Sequence, residues 1–221
     1  MSNIKDFIGG SGGGFDPRNF TRVDITTSQN WVAPAAKGDK FFVVMQGAGG
    51  SGAQIWNGGD IIFGGGAGQI VTDIISLTTS QSITISIGVG GNTARVNGKG
   101  NAGGNTSIGT LTAKGGAAGL YYTPVAGVVS SQLAVSYATT GDLNISPFGI
   151  VNFIGKRGKS DVFVSSSLLG GEAGLGGNGN DVWVYPGVKA PNGAGGGAAS
   201  NTSYSGGDGG DGIVIIFYEA V

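Results

Sequence analysis

Apolar positions along the chain fall into short runs with a period of two, and tracts of glycine separate them. Residues 82–89 (SITISIGV) alternate most regularly, with Ile83, Ile85 and Ile87 on one face. Residues 20–26 alternate around Val23 and Ile25; a turn over 27–30 follows, then a short return at Trp31-Val32 and a second turn over 34–39. The runs 40–46 (KFFVVMQ), 69–77 (QIVTDIISL) and 213–219 (IVIIFYE) read as buried strands, and 105–113 as a strand bent at Gly109. No window sustains a helical period. The pattern predicts an all-β fold with an antiparallel β-sandwich base.

The glycine tracts lie at 47–52, 58–68, 88–104, 115–119, 170–179, 193–197 and 206–212. Tracing the strands alternately up and down puts the tracts at one pole, as a glycine-rich distal cap, and residues 1–19 at the other. Chains without Cβ atoms can pack side by side as polyproline II helices, which have no internal hydrogen bonds and can therefore bond laterally. Residues 206–212 (GGDGGDG) suit such a layer, because a repeat of three puts Asp208 and Asp211 on one edge. Glycine loses the most backbone entropy on folding, so only a mutually bonded layer favours so many.

Composition sharpens this picture. Glycine accounts for 48 of 221 residues, and charged residues for only 11%. Against 53 β-branched residues stand 8 Leu and 2 Glu, the ordinary material of amphipathic helices. With no Cys and no His, a disulfide framework, a thiolate zinc site and the commonest general base are absent. A net charge of −1 gives no footprint for nucleic acid. The uncharged run 115–141 holds too much Pro, Gly and Ser/Thr for a membrane span, and the N-terminus lacks the apolar stretch of a signal peptide.

Two stretches, 176–184 and 206–214, match the calcium-binding nonapeptide, but they stand alone where that motif needs stacked neighbours. No metal or cofactor is expected. Nothing marks any two carboxylates as a catalytic pair, so the chain reads as a binding protein and not an enzyme. Residues 1–19 hold an apolar peptide (Ile4, Phe7, Ile8) and a Gly/Ser linker over 9–14. A docking peptide is favoured over a frayed terminus, since three large apolar side chains have no reason to be exposed on a tail.

Phe20-Thr21, Trp31-Val32-Ala33-Pro34, the apolar strand over 41–45 and Gly47-Ala48-Gly49-Gly50 resemble the opening of glycine-rich bacteriophage tail fibre and adhesin tip proteins. The middle, GQIVTDIISL, SITISIGVGG and GGNTSIGTLTAKGG, and the end, GGDGGDGIVIIFYE, are similar in order. The resemblance covers 20–119 and 206–219, whereas 120–169 departs from it as a variable distal insert. It implies a homotrimeric protein on the virion exterior, whose distal loops bind a bacterial surface receptor, either polysaccharide or outer-membrane protein, during host attachment. Other virion proteins would be bound through residues 1–19. A structural head fibre or decoration protein is the alternative.

Contact residues are expected among the cap aromatics, which flank glycine tracts: Trp56, Phe63, Tyr121, Tyr122, Trp183, Tyr185 and Tyr204. Such side chains suit stacking on sugars or apolar surfaces at low entropic cost. The segments 53–63, 120–169, 181–192 and 198–205 are all expected at the distal pole.

Overall fold

A computed structural model of the chain describes residues 20–54, 61–62, 64–92, 98–122, 189–197 and 206–221. The strands are β1 (Phe20–Ile25), β2 (Gln29–Val32), β3 (Lys40–Gln46), β4 (Ile61–Ile62), β5 (Ile70–Ser76), β6 (Ser82–Ser86), β7 (Thr106–Ile108), β8 (Leu111–Ala113), β9 (Tyr121–Tyr122) and β10 (Ile213–Glu219). Two four-stranded antiparallel sheets, ordered β1-β10-β3-β5 and β2-β6-β7-β8, form the base, and β4 pairs with β9 apart from them. Among the described residues there is no α-helix.

Phe41, Val43, Met45, Val214 and Ile216 from the first sheet pack against Ile85, Ile108 and Ala113 of the second. The larger of these side chains stabilise the fold by roughly 1.5–3 kcal/mol each through burial. Trp31 closes one side of this core, edge-on to Phe41 with ring centroids 5.3 Å apart. Ile83 and Ile87 flank the buried Ile85, as the alternation over 82–89 predicts. Gly109, at φ +55°, makes the tight turn between β7 and β8.

Three expectations need correction. Gln29 and Asn30 belong to β2 and not to a turn, because they pair with Ile85 and Thr84. The return at Trp31-Val32 is therefore not a hairpin with β1: the chain crosses between sheets, and β1 pairs with β10 instead. The strand expected over 82–89 stops at Ser86. Beyond it the backbone leaves the ladder: the Ile87 N–H is taken by Ser28 Oγ and the Gly88 N–H by Thr106 Oγ1.

Phe20 lies opposite Glu219, at the end of β10 remote from the glycine tracts. Residues 1–19, outside the described residues, thus join the base at the pole away from those tracts.

Candidate functional site

Beyond the sheets lie seven described tracts, all but the sixth continuing a strand: tract 1 (47–54), tract 2 (64–69), tract 3 (88–92), tract 4 (98–105), tract 5 (114–120), tract 6 (189–197) and tract 7 (206–212). Tract 1 donates in strict rotation. Gly47 and Gly50 bond to the carbonyls of Gln69 and Gly66 in tract 2. Ala48, Ser51 and Gln54 bond to Gly104, Asn101 and Gly98 in tract 4, and Gly49 and Gly52 to Gly210 and Gly207 in tract 7. Each neighbour is met at every third residue, and the acceptor number falls by three at each step. That is the signature of antiparallel helices with about three residues per turn, the polyproline II geometry.

The carbonyls of tract 1 face three other neighbours. Ala48 and Ser51 accept from Gly116 and Gly119 of tract 5, Gly49 from Gly91 of tract 3, and Gly50 from Gly196 of tract 6. Tract 1 is therefore the axis of a bundle with six tracts around it. The ring closes through bonds between adjacent members: Gly66 to Ala117, Gly103 to Gly116, Gly104 to Val89, Gly209 to Gly91, Gly210 to Ala194 and Gly65 to Gly196. Around the ring, tracts running away from the sheets alternate with tracts returning to them, because antiparallel strands feed most of them.

Such spacing leaves no room for Cβ atoms at the contacts. A Cβ on Gly49, Gly50, Gly65 or Gly116 would collide with the backbone carbonyls of Ala194, Ala117, Gly50 and Gly66 respectively. Small side chains share the interior: Ala48, Ser51, Ala53 and Ala194 are fully buried.

Polar side chains finish what the backbone leaves unpaired, most of them where two-directional sheet bonding gives way to six neighbours. Gln69 Oε1 accepts from the Lys114 N–H at 3.1 Å, and Asn105 Oδ1 from the Gly115 N–H at 3.0 Å. Gln46 Nε2 donates to the Gly68 carbonyl at 3.2 Å. Deeper in, Ser51 Oγ accepts from the Asn101 N–H and donates to the Asn92 carbonyl, both at 2.8 Å. Asp211 accepts from the Gly90 N–H at 2.8 Å and pairs with Lys189 Nζ at 2.6 Å, linking tracts 3, 6 and 7. These roles are not singled out by the sequence patterns, although Gln46, Gln69, Asn105 and Asp211 each sit where a glycine tract meets a strand.

The repeat of three in 206–212 does place Asp208 and Asp211 toward one neighbour: their carbonyls accept from Ala190 and Gly193 of tract 6. The calcium-like stretch 206–214 folds as tract 7 and the start of β10, with the Asp211 carboxylate engaged as above. The other such stretch, 176–184, lies outside the described residues.

Gln54, Asn92, Gly98, Tyr122, Gly197 and Gly206 mark the bundle end remote from the sheets. The connections 55–60, 93–97 and 198–205 leave and re-enter there, and 123–188 leaves there. Of the candidate contact residues, Tyr121 and Tyr122 form β9 and pair with Ile62 and Ile61. Trp56, Phe63, Trp183, Tyr185 and Tyr204, and the docking candidates Ile4, Phe7 and Ile8, lie outside the described residues.

One placement is corrected. The segment 181–192 is not wholly distal, since 189–192 run down the flank of the bundle. Ala190 donates to the Asp208 carbonyl, and the chain turns with Ala194 donating to Pro191. Gly193, at φ +73°, then packs against the side chain of Gln46 beside the sheets.

The model of a family described as a glycine-rich domain matches residues 23–219. No curated protein matches the chain.

Proposed function

We propose that this chain, which belongs to that glycine-rich domain family, is a bacteriophage fibre or adhesin tip protein that binds a receptor on the bacterial surface. The observation that carries this reading is polarity. Phe20, where residues 1–19 join, is at one end, and the bundle opens its connections at the other. A bonded glycine bundle is a rigid platform, and loops on such a platform can change length and composition without disturbing the core.

The contact chemistry rests on the aromatics of those connections, with Tyr121 and Tyr122 at the described edge of the pole. The chain acts by binding, without catalysis. Three copies on the virion exterior, tethered through residues 1–19 to another virion protein, complete the arrangement. A head fibre or decoration protein could use the same base, but it would have no need of aromatic residues in the segments that leave the bundle at its free end.

The test is competition. Purified full-length chain, added to host cells before infection, should block adsorption of the phage that carries it. A chain that neither binds the cells nor slows adsorption would leave the structural reading in its place.

A further inference from the structure

The two sheets differ on their outer faces. On the second sheet the outward positions are polar apart from Val32: Thr84 donates to Asn30 Oδ1 at 2.9 Å, with Ser86 and Thr112 nearby on the same face. The first sheet carries an apolar patch on its outer face too, on β10, β3 and β5, bordered by Arg22 and Asp24 of β1 and by Thr72 of β5. Phe41, Val43 and Met45 point into the core, so the alternate residues Phe42 and Val44 point outward. They are joined there by Ile74, Ile215 and Phe217, their cross-strand partners. The rings of Phe42 and Phe217 lie 6.2 Å apart. Ile215 is only 7% exposed, yet it is not part of the core between the sheets.

The bundle end of this face is closed by the turn of tract 6, where Gly193 packs on Gln46. The base end carries Phe20, the first residue of the edge strand β1. Residues 1–19 therefore enter beside this face, and they contain the apolar trio Ile4, Phe7 and Ile8.

We propose that the outer face of the first sheet seats the apolar peptide around Phe7 from the same chain in the free protein. Reach permits it. The twelve steps from Ile8 to Phe20 span roughly 19 Å as flexible coil, and the centre of the face is two strands, about 10 Å, from β1. Area favours a peptide over a second copy. Three strands by about five residues make a footprint of roughly 240 Å², well under the ~800 Å² that each partner of a stable dimer buries. Charge agrees as well: Lys5 and Asp6 in the peptide balance, as do Arg22 and Asp24, paired at 2.7 Å on the rim. The seat concerns the free chain and does not depend on what the distal pole binds.

The chain has no cysteine, so introduced pairs report cleanly. Full-length protein carrying Lys5→Cys and Val44→Cys should close an intramolecular disulfide roughly tenfold faster than protein carrying Lys5→Cys and Thr112→Cys, because docking raises the effective concentration at one face only. Adding Phe7→Asp to the first pair should bring its rate down to that of the second. Equal rates for the two pairs, or indifference to Phe7→Asp, would overturn the proposal. A disulfide-linked dimer as the main product would overturn it too, assigning the face to a second copy.

Discussion

Replacing Gly49 by Ala puts one methyl group at the axis of the bundle, where its Cβ collides with the Ala194 carbonyl and lies 2.9 Å from the Gly195 nitrogen. Both atoms are backbone, so no rotamer change relieves the contact. Restoring ordinary van der Waals separation means parting tracts 1 and 6 by more than about 1 Å. The Gly196-to-Gly50 bond spans that gap at 2.8 Å, and Gly49 itself holds tract 7 at 2.8 Å and tract 3 at 2.9 Å. Each buried backbone group left without its partner costs about 1–3 kcal/mol, so disturbing two or three such bonds costs roughly 3–6 kcal/mol. That is a large part of the ~5–15 kcal/mol that typically holds a domain folded.

Gly38→Ala is the control. It sits at φ +68° with nothing within 4 Å of a Cβ, so only backbone strain of about 1–2 kcal/mol applies. Urea unfolding of both variants, followed by tryptophan fluorescence and circular dichroism, gives the difference. If Gly49→Ala is no more destabilising than Gly38→Ala, the bundle is not close-packed.

Ser51→Ala should cost about 0.5–1.5 kcal/mol in the same unfolding assay, since it removes the buried hydroxyl that accepts from the Asn101 N–H and donates to the Asn92 carbonyl. Deleting residues 1–19 should abolish incorporation into virions while the purified protein still binds cells, which pull-down and particle composition would reveal; normal incorporation would refute the tether. Cell binding should change little between low and physiological salt, because a chain with 11% charged residues has few charges to screen, and collapse at moderate salt would refute an aromatic contact surface. Native-state amide exchange should show Gly49, Gly91 and Gly210 protected like core strand residues, whereas rapid exchange would mean flexible loops.

Much of the base was legible in the sequence, because a half-buried strand writes its period directly. The alternation at Ile83, Ile85 and Ile87 and the turn at Gly109 are found as expected. The partner of β1 was not legible. Antiparallel pairing between residues near 20 and near 219 is invisible to local pattern, and Trp31 beside a turn imitates a hairpin. In the cap, glycine content announces close packing, but the choice of tract 1 as axis rests on lateral bonds, which no side chain encodes. Gln46 and Gln69 read as ordinary strand ends, although their amides serve backbone groups released by the change from sheet to bundle. Tract 6 misled for a related reason: Asn192-Gly193 was recognisable as a turn, but nothing in the residues said that it lies against the sheets and not at the distal pole.

The proposed function requires a rigid glycine bundle to present aromatic residues to a bacterial surface. It is tested most directly by substituting Trp56, Tyr121, Tyr122, Trp183, Tyr185 and Tyr204 with Ala in the full-length chain and measuring binding to host cells beside amide exchange in the bundle. Binding should be lost while Gly49, Gly91 and Gly210 keep their protection. Undiminished binding with the bundle intact would contradict it.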